Sequence, residues 1–108
     1  MAPVVEVAVP LPVPGPFHYS VPEALRDAVD VGVAVHVPFG NRRLTGYVLE
    51  TLDAAPPDSP ELKDIVAVGD EGRLFPAELV PLYRWIARYY AHPLGEVIRT
   101  AIPGFTRT

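Results

Sequence analysis

Short alternating or β-branched runs fill the first half of the chain, and a helical repeat fills its last quarter. Val4–Val9, interrupted by Glu6, reads as a strand. Phe17-His18-Tyr19-Ser20-Val21 alternates with period two, which puts Phe17, Tyr19 and Val21 on one face, the more buried one, and His18 and Ser20 on the other. Val33–Val37 and Leu44–Leu52 predict further strands, separated by the turn signal Pro38-Phe39-Gly40-Asn41. Gly46 inside the second of these points to a bulge or a close backbone approach. Leu62–Val68, with β-branched Ile65, Val66 and Val68, predicts one more strand, and Asp70-Glu71-Gly72 the turn after it. From residue 76 the period changes: Leu79, Leu82, Tyr83, Ile86, Tyr89 and Tyr90 recur at three- and four-residue spacing, as in an amphipathic helix. Pro81 should start, kink or delay this helix, and His92-Pro93 closes it. Leu94–Ala101 predicts a second, shorter helix, terminated by Pro103-Gly104.

Between these elements lie proline-rich connections. Pro10-Leu11-Pro12-Val13-Pro14-Gly15-Pro16 is an extended loop with polyproline character, and residues 53–61 form a polar, proline-rich loop. Pro22-Glu23-Ala24-Leu25 predicts a single helical turn with proline at its first position. The resulting fold class is mostly β with C-terminal helices (α+β): a small, partly open β-barrel of five or six strands with two helices packed on it. One domain over 1–108 accommodates this, with a β-rich part at 1–52 that carries the pocket, the loop at 53–61, a strand and turn at 62–75 and a helical part at 76–103. At 108 residues such a domain can bury one modest core. The 14 prolines favour strands, turns and loops over long helices.

The absence of cysteine excludes disulfides, thiolate zinc sites and thiol nucleophiles within the chain. The beginning of the chain has neither a basic nor an apolar targeting region, and no apolar stretch approaches membrane-spanning length, so a cytoplasmic protein with no membrane contact is expected. Catalysis has no motif to stand on: there is no phosphate loop and no GxSxG elbow. His18, His36 and His92 are far apart and lack HExxH spacing, which leaves a metal-dependent enzyme as a remote alternative. No catalytic residue, metal or cofactor is therefore expected in this chain.

Net charge is −4, which argues against a protein that tracks a long run of DNA phosphates. Any nucleic-acid site must be small and local. The strongest candidate is the loop around Pro38-Phe39-Gly40-Asn41-Arg42-Arg43, where a glycine admits a ligand to the backbone and two cations follow; a solvated hairpin tip would look the same. Tyr83, Trp85, Tyr89 and Tyr90 offer faces for base stacking, but at helical spacing they are expected mainly to pack the helix on the barrel. Arg84 and Arg88 share a helix face and are expected to be solvated.

Four segments, in order and spread over nearly the whole chain, resemble the amino-terminal domain of the PriA-type replication-restart helicases (primosomal protein N′). They are Val7-Ala8-Val9-Pro10-Leu11-Pro12-Val13-Pro14, Phe17-His18-Tyr19-Ser20-Val21-Pro22, Val35-His36-Val37-Pro38-Phe39-Gly40, and Trp85-Ile86-Ala87-Arg88-Tyr89-Tyr90 with Pro93-Leu94-Gly95-Glu96-Val97. The resemblance implies a non-catalytic domain that recognises the 3′ end of the nascent leading strand at abandoned or stalled forks. It also implies a parent chain whose ATP-dependent helicase, with magnesium, and whose zinc-binding domain lie elsewhere. The partners it implies are branched DNA with a leading-strand 3′ end, the rest of the helicase chain, and through it other primosome proteins and single-strand-binding protein. The family's pocket uses an aromatic–acid pair, the glycine of the VPFG segment and a lysine beyond the proline loop; the matching positions are Phe17, Gly40 and Lys63, with His18 where the family has an acid. The DNA-binding set is thus expected to be Phe17, His18, Tyr19, Gly40, Asn41, Arg42, Arg43 and Lys63, with Phe17 and Tyr19 as packing or stacking groups and His18 turned toward the ligand. The rival reading is an SH3-like interaction domain with a peptide partner, or a chain whose own proline segment is read by such a barrel.

Overall fold

A computed structural model describes residues 3–12, 16–57 and 61–102. Its strands are β1 (Val4–Ala8), β2 (Phe17–Ser20), β3 (Val33–Phe39), β4 (Arg42–Leu52) and β5 (Ala67–Arg73), followed by helices α1 (Val80–Tyr90) and α2 (Leu94–Ala101). All five strands join one antiparallel sheet in the order β2-β1-β4-β3-β5. The sheet curls without closing, so the expected partly open barrel is an open, curved sheet with helices on one side.

Alternation along each strand sorts the side chains into two cores. Val5, Val7, Val9, Tyr19, Val21, Val35, Val37 and Val48 are buried together on the concave face. Ala8, Ala34, Tyr47 and Leu49 are buried on the other face, against Phe75, Val80, Tyr83, Ile98 and Ile102 from the helical layer. A register shift between Glu6 and Val7 opposes two residues of β1 to three of β4, since Glu6 pairs with Glu50 and Val7 with Val48. Leu49, the extra residue, is thereby left to the helix-side core. Gly46 is a close approach: a Cβ there would lie 2.4 Å from Val7 Cγ1.

Several sequence expectations need correction. The strand predicted at Leu62–Val68 is β5, shifted to Ala67–Arg73; Asp64 makes only an isolated parallel bridge to Ser20. The predicted turn Asp70-Glu71-Gly72 lies inside β5, where Val35 pairs with Val68 and Val33 with Arg73, so one β3 residue faces four of β5. Gly72, at φ 73, supplies the left-handed residue that this excursion needs. The glycine thus turns the chain as its residue type predicts, but the return of the chain to the same partner strand carries no local signal. Pro38 and Phe39 belong to β3 rather than to a turn. The predicted helical turn after Pro22 is a 3-10 helix, Glu23–Ala28, with Pro22 as its N-cap.

Proline is tolerated late in β3 because neighbouring residues along a strand send their backbone groups to opposite sides. The His36 carbonyl, two residues earlier, faces the β5 side and accepts from Val66 N–H at 2.7 Å. Pro38 faces that same side beyond the last β5 pair, where a missing N–H breaks no ladder bond.

A short 3-10 turn, Ala77–Leu79, leads into α1, with Pro81 within the first turn. Ala91, at φ 56, ends the helix in the left-handed region, just before His92-Pro93. Among the aromatic residues of α1 only Tyr83 is buried, against Phe75; Trp85, Tyr89 and Tyr90 are 54%, 67% and 60% exposed, contrary to the expected core packing. Trp85 and Tyr89 instead stack on each other with ring centroids 5.0 Å apart. Arg84, expected to be solvated, reaches the sheet and donates to Glu6 at 2.8 Å. Residues 13–15 of the proline segment, 58–60 of the second loop and the terminator Pro103-Gly104 fall outside the described residues. Among those described, no helix is long and apolar enough to cross a membrane.

Candidate nucleic-acid interface

The curl of the sheet brings three separate stretches of chain around one cavity of about 350 Å³. Its walls are residues 16–19 at the start of β2, residues 38–40 at the end of β3, and residues 61–63 ahead of β5. In sheet order β2 and β3 are separated by β1 and β4, so only curvature makes them meet.

Each wall is tied to the next by hydrogen bonds. Tyr19, only 5% exposed, donates its hydroxyl to the Pro38 carbonyl at 2.9 Å, directly linking β2 to the end of β3. That carbonyl is free because Pro38 faces the side that β5 has already left. Burial raises the Tyr19 phenol pKa, so the donor keeps its proton over the neutral range. The third wall is clipped to β2 from the backbone: Ser20 N–H donates to Lys63 carbonyl at 2.9 Å and Ile65 N–H to Ser20 carbonyl at 3.0 Å. The Ser20 hydroxyl adds a contact to the Asp64 carboxylate. This clip is what sets Lys63 beside Phe17 and Tyr19, although more than forty residues separate them in sequence.

The floor is apolar and aromatic. Phe17 and Phe39 meet edge to face, with ring centroids 5.2 Å apart, and both rest on the concave core while remaining partly exposed. Phe17 thus belongs to the core and to the cavity wall at once. Gly40, at φ 61, is the first central residue of the two-residue turn between β3 and β4, the position at which a type II′ hairpin requires positive φ. Apart from Gly40 itself and its two chain neighbours, no described heavy atom lies within 4 Å of where a Gly40 Cβ would stand, so its backbone is open to a ligand.

The other expected residues divide. His18 borders the cavity, but it pairs with Glu6, so strand alternation sets its side chain on the opposite face from Phe17 and Tyr19. Asn41, Arg42 and Arg43 are exposed at the hairpin tip and do not line the cavity. Arg42 pairs with Phe39 and Arg43 with Pro38, so the two arginines stand on opposite faces of the hairpin, and Arg42 is the one on the cavity's side. Sequence reasoning missed Phe39, Leu62 and Glu61. Phe39 could have been found from its two-residue spacing to Val37 on the concave face; Glu61 carried no local signal, because its place depends on the clip to Ser20. Among the described residues, no three histidine, aspartate or glutamate side chains converge as a metal ion would need.

Residues 6–103 match the profile of the 3′ DNA-binding domain (3′BD) of PriA. The chain belongs to the PriA 3′BD family. The match takes in all three walls of the cavity. Among similar proteins are the replication restart proteins PriA of Synechocystis sp., 36% identical over 82% of this chain, and of Treponema pallidum, 31% identical over 99% of it. That of Haemophilus influenzae is 32% identical over 93% of this chain. The chain spans only 11%, 17% and 13% of these relatives, respectively. As a PriA 3′BD it is a DNA-binding domain, and the SH3-like reading gains no comparable support.

Proposed function

We propose that this domain captures the 3′ end of the nascent leading strand at abandoned or stalled replication forks, using the cavity between β2, the β3–β4 turn and the segment ahead of β5. The observation that carries this reading is the convergence of Phe17, Gly40 and Lys63, from three distant stretches, on a concavity of nucleotide size. In it the terminal base lies against Phe17 and Phe39, and the Gly40 backbone approaches the nucleotide closely. Lys63 supplies one cation at the wall and Arg42 a second just outside it. A capture site of this kind needs few phosphates, which suits a chain with a net charge of −4. We further propose that the domain directs a longer replication restart protein, in which ATP-driven unwinding, magnesium and zinc belong to other domains. Contacts with primosome proteins and single-strand-binding protein would run through that parent.

The test is fluorescence anisotropy with forks that differ only at the leading-strand branch: a 3′-hydroxyl end, a 3′-phosphate end, or continuous duplex. The hydroxyl end should bind tightest. Equal affinity for the 3′-hydroxyl fork and the continuous duplex would remove the basis for end capture.

A further inference from the structure

We infer that Glu61 is the residue that makes the site select a 3′-hydroxyl over a 3′-phosphate, an inference that rests on the end-capture reading. Among the described residues that line the cavity, Glu61 and Lys63 are the only ones with a formal charge at neutral pH, leaving His18 aside. They are two apart in a stretch outside any helix or strand, and Leu62 between them lines the same wall. That stretch is not a free loop at its far end, since the Ser20–Lys63, Ser20–Asp64 and Ile65–Ser20 contacts fasten it to β2.

The two charges have opposite uses. A carboxylate accepts hydrogen bonds and donates none, so it can take the proton of a terminal hydroxyl in a charge-assisted bond. A terminal phosphate is mostly doubly ionised at neutral pH, with its second pKa at about 6, so it has little proton to donate and brings up to two negative charges against the same carboxylate. Lys63 cannot make this distinction, because it attracts the internucleotide phosphate and a terminal phosphate alike. The remaining walls, apolar rings and a glycine, are neutral to it as well. Rejection of the phosphate end therefore falls to Glu61. The group is exposed, so the effect is bounded: repulsion between solvent-screened charges gives a discrimination on the order of fivefold.

The experiment measures the ratio of the affinities for the 3′-hydroxyl and 3′-phosphate forks in the wild type, Glu61→Gln and Glu61→Asp. Glu61 is exposed, and matching thermal melts would establish that the variants are folded. Glu61→Gln should leave affinity for the hydroxyl end within about twofold and tighten binding of the phosphate end by about fivefold. Glu61→Asp, which keeps the charge, should keep most of the rejection. An unchanged ratio in Glu61→Gln would overturn the assignment, as would a ratio lost equally in Glu61→Asp. A wild type that binds the hydroxyl fork no better than continuous duplex would instead overturn end capture itself, whatever Glu61→Gln does.

Discussion

Tyr19 joins two strands that are not neighbours in the sheet, and its 2.9 Å bond to the Pro38 carbonyl fixes the Gly40 turn relative to Phe17. Its ring belongs to the concave core, so removing the hydroxyl alone separates positioning from packing. Tyr19→Phe should cost about 1 kcal/mol, leaving the Pro38 carbonyl without this partner. A domain of this size would then melt about 4 °C lower, and the preference for a 3′-hydroxyl end should weaken by more than affinity for continuous duplex does. Differential scanning fluorimetry and the fork series measure the two effects. The hairpin tip permits an equally sharp contrast. Arg42 stands with Phe39 on the cavity side and Arg43 with Pro38 on the other. For the wild type, the slope of log affinity against log salt should be shallow, on the order of −1 to −3. Arg42→Ala should bring it closer to zero by about one, and Arg43→Ala should leave it alone. Equal effects of the two substitutions would show that alternation does not decide which arginine meets DNA. In the sequence the two arginines are equivalent, because the register that separates them is a property of the paired strands.

Helix α2 is held close by a missing side chain. A Cβ on Gly95 would fall 2.3 Å from the carbonyl carbon and oxygen of Val9, which are backbone atoms that cannot turn aside. Gly95→Ala must therefore push α2 off the sheet and loosen Ile98, which is fully buried in the helix-side core. Overpacking of this kind costs about 1–3 kcal/mol, readable as a lower urea midpoint. Gly95 shares a small crevice with Pro16 and Phe17, which also line the cavity of the proposed site, so the folded variant should also lose part of its preference for a 3′-hydroxyl end. Element identity was largely legible: β-branched runs, period-two alternation and the turns between them located β1 to β4, and the repeat from Leu79 located α1 to within a residue or two. The pairing of distant stretches was not. The start of β5 is set by a clip to Ser20 and a long excursion opposite Ala34, neither of which leaves a periodic trace. The aromatic residues of α1 depart from expectation for a related reason. Helical spacing shows which residues share a stripe, but the layer beneath is filled by Tyr83, Phe75 and α2, leaving Trp85, Tyr89 and Tyr90 to pack on one another at the surface. The candidate site was half legible: Gly40 stood out as a turn glycine, Phe17 and Lys63 came from the family resemblance and Phe39 was within reach of strand alternation, whereas Glu61 needed the clip to Ser20.

Across the whole molecule, one sheet serves two cores. The concave face makes the cavity, and the opposite face carries the helices that stiffen the sheet. Each core contains a buried phenol: Tyr19 on the concave side, Tyr47 and Tyr83 under the helices. Burial raises all three pKa values, that of Tyr47 to about 12 from the ordinary 10. For Tyr47 the cause is desolvation first, with Arg99 lowering and Glu96 raising it further. A phenolate is disfavoured in these sites but not in the unfolded chain. Stability therefore stands at its full value below pH ~10, and part of it is lost as pH climbs through about 12. The Tyr47 shift sets the size of that loss, roughly 2–3 kcal/mol between neutral pH and pH well above 12, and contributes nothing to stability near pH 7. Urea unfolding measured between pH 8 and 12 should thus show stability constant at first and then falling by up to about 1.4 kcal/mol per pH unit for each buried phenol that ionises only on unfolding. Tyr47→Phe removes one ionisation from the unfolded chain, so its stability should decline less steeply than the wild type's above pH 10, even if its stability at neutral pH is lower. Parallel curves for the two proteins across that window would mean that Tyr47 ionises as readily in the fold as out of it, and that the helix-side core is wetter than its packing implies.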